Sequence, residues 1–585
     1  MQARRLATAR LLRTLAAPLI LALPPLFWVV EATRRASLTP LGRDQGIFQY
    51  IAWATAQGQR DYGDVRDVNG PLTHLMHRAL LALGGADEHR FRVLDLVVTG
   101  ASFALVGACL PGLRDRRGPR ASIAWTERLA WALAAWVTLS GQYLLYGYWD
   151  LAQRESFFDW FMLPAVGLQL VAQARWRVEA PRRRALLISL VGALSVLPCL
   201  GKPTYAAFTL AQLLALQAGA APRIPRRKAL GAFAIGGALG AAGPIAWLAL
   251  RGDLLAYVHI QAVDVPAMYR FIWPRAAADI FSSPWDASQA IFAVVGALVL
   301  LSLVLLGEMP PRVVAPALVP IAALASVIVQ AKGFPYHFHP VTAGVHLQWL
   351  VFAAWLAERA RVARRDRALV RLAPLAVAVV FALRVATSME DSPHIRATWM
   401  LRGARTPEDR VTRAYFAHFP EPDFFPFELR QTAAYLRANT APDDRVQTYG
   451  MDPYLLFLAG RLSATPYIYA YDLDADAALA GGTGGVPDEA QRAAIRAIRD
   501  AHEADLLARL AGKPPAAFVF LDGSPLLSRT DAWDDFEGHC PQASAWVTEH
   551  YLEVVRFGHD HVWLRNDRVP AKVLGGDEDP APDAP

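Results

Sequence analysis

The sequence predicts a polytopic α-helical membrane protein with a C-terminal α/β domain, and three observations support this fold class. The chain of 585 residues is 54% hydrophobic, with 17 tryptophans and a mean hydropathy of +0.23, so it is more apolar than an ordinary soluble enzyme of this length. Residues 388–585 carry 31 acidic against 19 basic side chains, whereas residues 1–387 carry 21 against 40. Long apolar runs are confined to the basic part.

Those apolar runs predict about eleven transmembrane helices, because a helix needs about 20 mostly apolar residues to cross the hydrocarbon core. The fifth and sixth runs meet at GKPT, residues 201–204, which predicts a tight hairpin or a reentrant turn. The predicted spans lie near 11–30, 92–112, 124–146, 156–174, 185–201, 203–220, 229–250, 288–306, 312–330, 341–359 and 370–387.

Basic clusters predict the orientation, because loops rich in Lys and Arg stay cytoplasmic. Such clusters fall at the N-terminus and in alternate connections, at 114–120, 175–184, 222–228 and 358–367. We therefore expect an integral inner (plasma) membrane protein with a cytoplasmic N-terminus and an extracytoplasmic, periplasmic C-terminal domain. No small-residue cleavage site follows residues 11–30 before EATRRA, which favours a retained first span over a cleaved signal peptide.

The domain limits follow from the change in pattern near residue 388. Residues 1–387 form the predicted transmembrane domain, 388–570 a soluble α/β domain, and 571–585 a disordered tail. An amphipathic helix and a short strand are predicted in FELRQTAAYLRANTAPDDRVQTYG, and strands in AAFVFLDG and in YLEVVRFGHDHVWLRN. Basic residues belong to the membrane half as topology determinants, so no nucleic-acid partner is expected.

The first predicted external loop opens with Asp44 directly before an apolar face on GIFQYIAWA, and Pro71 opens a second amphipathic stretch. Both stretches predict juxtamembrane helices that lie flat at the interface. Taken alone, Asp44 is explained as a helix cap and Pro71 as a first helical residue.

Five external motifs together resemble the GT-C superfamily of polytopic glycosyltransferases, which includes protein O-mannosyltransferases and bacterial aminoarabinose transferases. In chain order they are RDQG, YGDVRDVNGPL, QRE at 153–155, GKPTY and AKGFPYHF. The resemblance covers nearly the whole chain, and it includes the C-terminal module. This chain departs from the family pattern in having one acid, Asp44, in the first motif, and Asn69 where a Lys often precedes the Pro.

The resemblance implies transfer of a sugar from a polyprenyl-phosphate donor to an acceptor hydroxyl with inversion. Such a reaction needs a base for the acceptor and stabilisation of the departing phosphate. We expect Asp44 to be the base and Glu155 a second catalytic carboxylate that shares one external hollow with it, with Asp150 as the competing choice for the second role. The alternative for Glu155 is an ion pair with Arg154.

Cations at external span ends are candidates for holding the phosphate. Lys202 and Lys332 each lie beside glycine in a short turn, and Arg43 and Arg66 add charge in the first loop. Ordinary snorkelling of long basic side chains is the alternative. The remaining motif residues expected to contact substrate are Tyr62, Asp64, Asp67, Asn69, Arg154, Tyr205, Tyr336 and His337.

Metal binding is not assigned from the sequence, although a divalent metal is possible. His337 and His339 are spaced as His-x-His and His346 follows, but a third ligand at convincing spacing is missing. Hydrogen bonding to donor or acceptor and aromatic packing are the other interpretations. His559 and His561 alternate with strand period and are predicted to be structural.

The leading functional hypothesis is therefore a membrane glycosyltransferase of the cell envelope. Its expected partners are a polyprenyl-phosphate-linked sugar, a glycan, lipid or protein acceptor, and membrane lipids. The alternative is a transporter or flippase of a lipid-linked saccharide, which would place ionisable groups near mid-membrane and often shows internal repeats. The sequence indicates neither the sugar nor the acceptor.

Overall fold

The computed structural model describes residues 2–113, 125–174, 181–219, 224–362, 368–397, 404 and 406–570. The predicted tail 571–585 and the basic connection 114–120 lie outside these residues, as do parts of the other three basic connections. The chain divides into two compact units. The first comprises residues 1–42, 69–247 and 275–410, and the second comprises residues 43–68, 248–274 and 411–585.

The first unit is helical. Its described helices are Gln2–Ala36, Pro71–Gly84, Glu88–Cys109, Trp125–Tyr143, Arg154–Ala172, Pro181–Gly201, Ala206–Ala218, Arg226–Arg251, Ala277–Ile280, Pro284–Leu305, Val314–Gln330, His339–Val362, Ala368–Ser388 and Pro393–Arg396. The last turn of Arg226–Arg251 belongs to the second unit.

Within the described residues, eight helices are long and apolar enough to cross a membrane. The predicted fold class is thereby confirmed, whereas the count of eleven spans stays a prediction. Helices also occupy the other three predicted spans, but Trp125–Tyr143 and Arg154–Ala172 fall short of this standard and Ala206–Ala218 has 13 residues. The eight are Leu15–Ala36, Glu88–Leu113, Pro181–Gly201, Arg226–Arg251, Pro284–Leu305, Pro311–Gln330, Pro335–Arg361 and Leu372–Asp391.

Small residues let these helices approach closely. A Cβ atom at Gly192 would overlap with the Phe233 carbonyl, and one at Gly236 would overlap with the Ser189 carbonyl, so Pro181–Gly201 and Arg226–Arg251 touch backbone to backbone. Close packing of this kind is typical of membrane helices, since lipid offers no hydrophobic drive for association. Large apolar side chains such as Phe292 and Leu298 stay exposed on Pro284–Leu305, as a lipid-facing surface requires.

The second unit is built on a five-stranded sheet. Its strands are β1 (Arg445–Tyr449), β2 (Leu462–Ser463), β3 (Ala517–Leu521), β4 (Tyr551–Phe557) and β5 (Asp560–Arg565). Their order is β2-β1-β3-β5-β4, with β1 parallel to both β2 and β3, and β5 antiparallel to both β3 and β4. Each of the strand predictions is met, and the predicted stretch 551–566 contains a hairpin of two strands.

Helices and a dense aromatic core cover this sheet. The described helices of the unit are Arg43–Ala56, Leu254–His259, Val265–Ala267, Arg413–Phe416, Pro426–Asn439, Tyr454–Ala459, Asp476–Ala480, Glu489–Gly512, Ala532–His539 and Pro541–His550. Phe518 and Phe520 alternate with Val519 along β3, and both pack in one cluster with Phe536 and Tyr551. Glu489–Gly512 begins with a capping box of Asp488 and Gln491.

Two loop segments belong to this second unit by ion pairing as well as by packing. Arg66 is held between Asp264 and Asp472, each at 2.8 Å from a guanidinium nitrogen. The Asp253 amide donates to the Asp61 carbonyl at 2.9 Å. Residues 43–68 and 248–274 therefore fold with the sheet domain although they are distant from it in sequence.

Candidate active site

A buried polar cluster in the first unit joins three of the motifs singled out in the sequence. Helix Arg154–Ala172 begins directly after Gln153 and carries Glu155 in its first turn, where the helix dipole favours a negative charge. Helix Pro181–Gly201 ends before Lys202, whose backbone is extended, and Pro203 starts a short 3₁₀ turn. The GKPT sequence thus forms the predicted tight hairpin and leaves Lys202 at its bend.

Lys202, Glu155 and His337 are mutually in contact. Lys202 Nζ lies 2.7 Å from Glu155 Oε1 and 3.3 Å from His337 Nε2, and the latter nitrogen lies 3.6 Å from Glu155 Oε1. Because an ammonium can only donate, His337 Nε2 accepts this hydrogen bond and the imidazole proton belongs on Nδ1. Glu155 is fully buried and His337 is 1% exposed, so this is an ion pair shielded from solvent.

Arg154 extends the cluster toward two other predicted residues. Its guanidinium lies 3.6 Å from Glu155 Oε2, donates to the Asn69 amide oxygen, and reaches the Tyr336 hydroxyl at 3.4 Å. The Arg154 guanidinium carbon also lies 5.7 Å from the centre of the Tyr336 ring, within the range of a cation–π contact. The ion pair with Arg154 that was the alternative interpretation of Glu155 is present, alongside the pair with Lys202.

Glycine at two positions permits this arrangement. The Gly70 amide donates to the Gly201 carbonyl at 3.0 Å, which ties the NGPL motif to the GKPTY motif. A Cβ atom at Gly70 would overlap with the Leu200 carbonyl oxygen, and one at Gly201 would overlap with the Phe158 ring. The glycines of both motifs therefore serve close backbone approach.

Lys332 adds a second buried ammonium. It is 8% exposed and lies between Ala331 and Gly333, which both adopt left-handed backbone conformations with φ of 52° and 63°. Burial, and then the charge of Lys202, lower its pKa from 10.5 to about 8. Burial thus disfavours the charged form of Lys332, and a bound anion would favour it.

One aromatic and one acidic side chain of the first unit are also buried near this cluster. Tyr205 is fully buried and packs edge-on against Phe158, with ring centres 4.7 Å apart. Asp159 lies one turn after Glu155, is 1% exposed, and its Oδ1 has no hydrogen-bond partner in the described part of the chain. Asp159 is not among the site residues predicted from the sequence, although an acidic residue within an apolar run, here FFDWFM, indicates function.

Among the described residues, His337 and His339 contact different groups. His339 Nε2 lies 2.7 Å from the Asp150 carbonyl oxygen and its ring centre lies 3.8 Å from that of Tyr146 in a tilted arrangement, whereas His337 contacts Lys202. Neither histidine belongs to any set of three close metal-ligand side chains among the described residues.

The remaining predicted residues belong to the second unit. Asp44 is half-buried in the first turn of Arg43–Ala56, and Arg43 binds Asp452 and Asp423 at 2.9 and 3.1 Å. Burial raises the pKa of Asp452, the charge of Arg43 opposes that rise, and the charge of Asp44 adds to it. Arg43 is thus held by two carboxylates of its own unit, and its predicted contact with substrate stays a prediction.

The YGDVRD motif also makes contacts inside the second unit. Tyr62 is 2% exposed, its ring centre lies 4.9 Å from that of Tyr257 in a tilted arrangement, and its φ is 70°. Asp64 pairs with Arg60 at 3.1 Å, and Asp67 accepts a hydrogen bond from the Tyr469 hydroxyl at 3.2 Å. The structure thus brings together Asn69, Arg154, Glu155, Lys202, Tyr336 and His337, with Lys332 beside Lys202, and places Arg43, Asp44, Tyr62, Asp64 and Asp67 in the other unit.

Comparison with known proteins found no matching family model and no matching curated protein. A search of solved structures matched ArnT from Cupriavidus metallidurans bound to undecaprenyl phosphate, at 14% identity and a TM-score of 0.49, over 92% of this chain and 96% of that chain. It also matched the Archaeoglobus fulgidus oligosaccharyltransferase in complex with zinc and sulfate, at 14% identity and a TM-score of 0.36, over 93% and 74% of the two chains. Both of these proteins are GT-C membrane glycosyltransferases.

At these identities and TM-scores, neither likeness carries an activity or a substrate to this chain.

Proposed function

We propose that the protein is an integral-membrane glycosyltransferase that moves a sugar from a polyprenyl-phosphate donor to an extracytoplasmic acceptor hydroxyl. The observation that carries this proposal is the buried cluster of Lys202, Arg154 and Glu155 with Lys332 beside it. Three cationic side chains therefore lie in a shielded part of the first unit. Cations of this kind bind phosphate groups, and an apolar lipid chain suits the surrounding helices.

The chemistry assigned to the cluster is stabilisation of the leaving group. As the bond between the anomeric carbon and the phosphate oxygen breaks, negative charge grows on the departing polyprenyl phosphate. Lys202 and Lys332 stabilise that negative charge, and Glu155 holds the Lys202 ammonium in one position through its 2.7 Å contact. Charged groups fixed in a dry site stabilise developing charge more strongly than the same groups in water.

Asp44 is proposed as the general base that takes the proton of the acceptor hydroxyl, whose oxygen then forms the new bond to the anomeric carbon. General base catalysis is worth about a hundred- to ten-thousand-fold in rate. Asp44 belongs to the second unit, so its role as the base is tested separately, with the Asp44→Asn variant. The proposed orientation places the reaction, and the sheet domain, on the extracytoplasmic side.

The test uses full-length protein in detergent and a synthetic short-chain polyprenyl-phosphate sugar panel with candidate acceptors. Wild type is expected to transfer sugar, Glu155→Gln and Asp44→Asn to lose at least about a hundred-fold of the rate, and the exposed Glu390→Gln control to keep it. In proteoliposomes, movement of a labelled lipid-linked sugar between leaflets without any transfer would favour the flippase alternative and overturn the proposal.

A further inference from the structure

A second cluster of ionisable side chains lies in the sheet domain, outside the proposed transferase site. Strands β1, β2 and β3 are parallel, so their carboxyl ends lie at one edge of the sheet. Loops and helices after β2 and β3 supply Asp474, Ser528, Asp535 and His539, and β1 ends at Tyr449. Ligands of open α/β sheets bind at this edge, where successive connections leave in opposite directions.

Three carboxylates converge on one imidazole nitrogen. His539 Nε2 lies 3.5 Å from Asp474 Oδ1, 3.6 Å from Asp476 Oδ2 and 3.9 Å from Asp535 Oδ1. One ligand atom from each of Asp474, Asp535 and His539 can be chosen so that all lie within 4.8 Å of one another. The side chains of Asp474 and Asp535 are fully buried, His539 is 13% exposed, and Asp476 is about half exposed at 52%.

These separations fit a metal ion. Bonds of about 2.0–2.2 Å in tetrahedral geometry place ligand atoms roughly 3.3–3.6 Å apart. The His539 nitrogen already has two of its three carboxylate oxygens at that separation. Entry of an ion requires a small movement of Asp535 and displacement of the Ser528 hydroxyl, whose Oγ lies 2.8 Å from His539 Nε2 and 2.7 Å from Asp535 Oδ1.

The outer contacts fix two of the carboxylates in place. Asp535 Oδ2 accepts from the Tyr449 hydroxyl at 2.7 Å, and Asp535 Oδ1 accepts from Ser528 Oγ at 2.7 Å and from the Arg529 amide at 2.9 Å. Asp474 Oδ2 accepts from the Ser528 amide at 2.9 Å. Such outer contacts orient ligands at metal sites and are part of their affinity.

Charge is the second observation that points to a cation. Every ion pair that the described residues give Asp474, Asp476 and Asp535 runs to the single His539 imidazole. One imidazolium balances at most one of the three carboxylates, and two of these are buried. Burying unbalanced charge is expensive, whereas a divalent ion balances it.

We propose that Asp474, Asp535 and His539 bind a divalent metal ion, with Asp476 as the ligand on the exposed side. One imidazole among carboxylates suits Zn²⁺ or Mn²⁺ better than Ca²⁺ or Mg²⁺, which prefer all-oxygen sites. The ion joins the connection after β2 to the helix after β3. This inference is independent of the transferase activity.

The experiment measures metal bound by the full-length protein in detergent after EDTA treatment and desalting. ZnCl₂, MnCl₂, CaCl₂ and MgCl₂ are titrated separately by calorimetry, and retained metal is counted by mass spectrometry. Wild type is expected to bind one equivalent of Zn²⁺ or Mn²⁺ and to melt at a higher temperature with it. Asp476→Asn is expected to weaken binding about tenfold and His539→Gln at least about a hundredfold.

Matched controls are His550→Gln, in the next helix, and the exposed Asp500→Asn, which should bind like wild type. Asp476→Asn keeps the test informative if a buried substitution prevents folding. The proposal is overturned if folded wild type retains no metal and its melting temperature does not change when Zn²⁺ or Mn²⁺ is added. It is equally overturned if His539→Gln and Asp476→Asn bind metal as tightly as the two controls.

Discussion

Lys202 Nζ lies 2.7 Å from Oε1 of the fully buried Glu155, although 47 positions separate the two residues. The Lys202 side chain is only 18% exposed, and its ammonium also contacts His337. A shielded ion pair of this kind fixes both side chains. The pair therefore links the stability of the first unit to the geometry that the proposed chemistry needs.

Breaking the pair from one side should destabilise the protein strongly. Lys202→Met leaves the buried Glu155 charge with less compensation, and Glu155→Gln leaves the cations without their carboxylate. Each change is expected to cost about 3–5 kcal/mol. The double variant should lose clearly less than the sum of the two, measured by thermal unfolding in detergent. Additive losses would contradict a direct coupling.

Donor binding should weaken as pH rises through about 8, where Lys332 loses its proton. The charged form is present below that pH, so affinity for a polyprenyl phosphate should fall roughly tenfold between pH 7 and 9, about the value of one charge contact. Lys332→Arg, which stays charged, should flatten the profile. If donor affinity falls with pH in the same way for wild type and for Lys332→Arg, Lys332 does not bind the phosphate.

Gly70 should not tolerate a side chain. Gly70→Ala forces a Cβ atom against the Leu200 carbonyl and strains the Gly70–Gly201 hydrogen bond, which should cost about 1–3 kcal/mol. The matched control is Gly231→Ala, because nothing lies within 4 Å of its new Cβ atom and alanine favours a helix. Equal melting temperatures for both variants would contradict the close approach.

Arg43 should contribute more to stability than to donor affinity. Its guanidinium pairs with Asp452 and Asp423 inside the second unit, so Arg43→Ala leaves Asp452, 4% exposed, without that cation. A loss of about 3 kcal/mol in stability is expected, with little change in donor affinity once folded protein is selected. If Arg43→Ala instead loses much of its donor affinity and keeps its melting temperature, Arg43 binds the donor phosphate.

Hydropathy and turn chemistry predicted much of the fold. The predicted span 92–112 corresponds to helix Glu88–Cys109, and the predicted strand in 516–523 to Ala517–Leu521. The predicted span 203–220 is longer than the helix Ala206–Ala218 that it contains. A 3₁₀ turn that begins at Pro203 precedes this helix, and Gly219 caps its C-terminal end. Hydropathy reports how apolar a segment is, not where its regular hydrogen bonding starts.

The sequence indicated which side chains are candidates for the site, but it did not indicate how they are arranged. Shared sidedness of the motifs pointed to Lys202, Glu155 and His337, but no local pattern encodes their mutual distances. Inclusion of the first-loop helix Arg43–Ala56 in the sheet unit rests on contacts with residues about 400 positions later, such as Asp452. The cluster at His539 was missed, because DLDAD and DDFEGH each look like solvated acidic surface.

Stoichiometry of a single reaction tests the transferase proposal most directly. Purified wild type is given a synthetic polyprenyl-phosphate sugar and an acceptor, and both products are counted by mass spectrometry. We predict one polyprenyl phosphate released for each sugar joined to the acceptor, with both products lost together in Glu155→Gln and Asp44→Asn and retained in Glu390→Gln. Donor lipid that is bound and moved across the bilayer intact, with no acceptor product, would contradict the account.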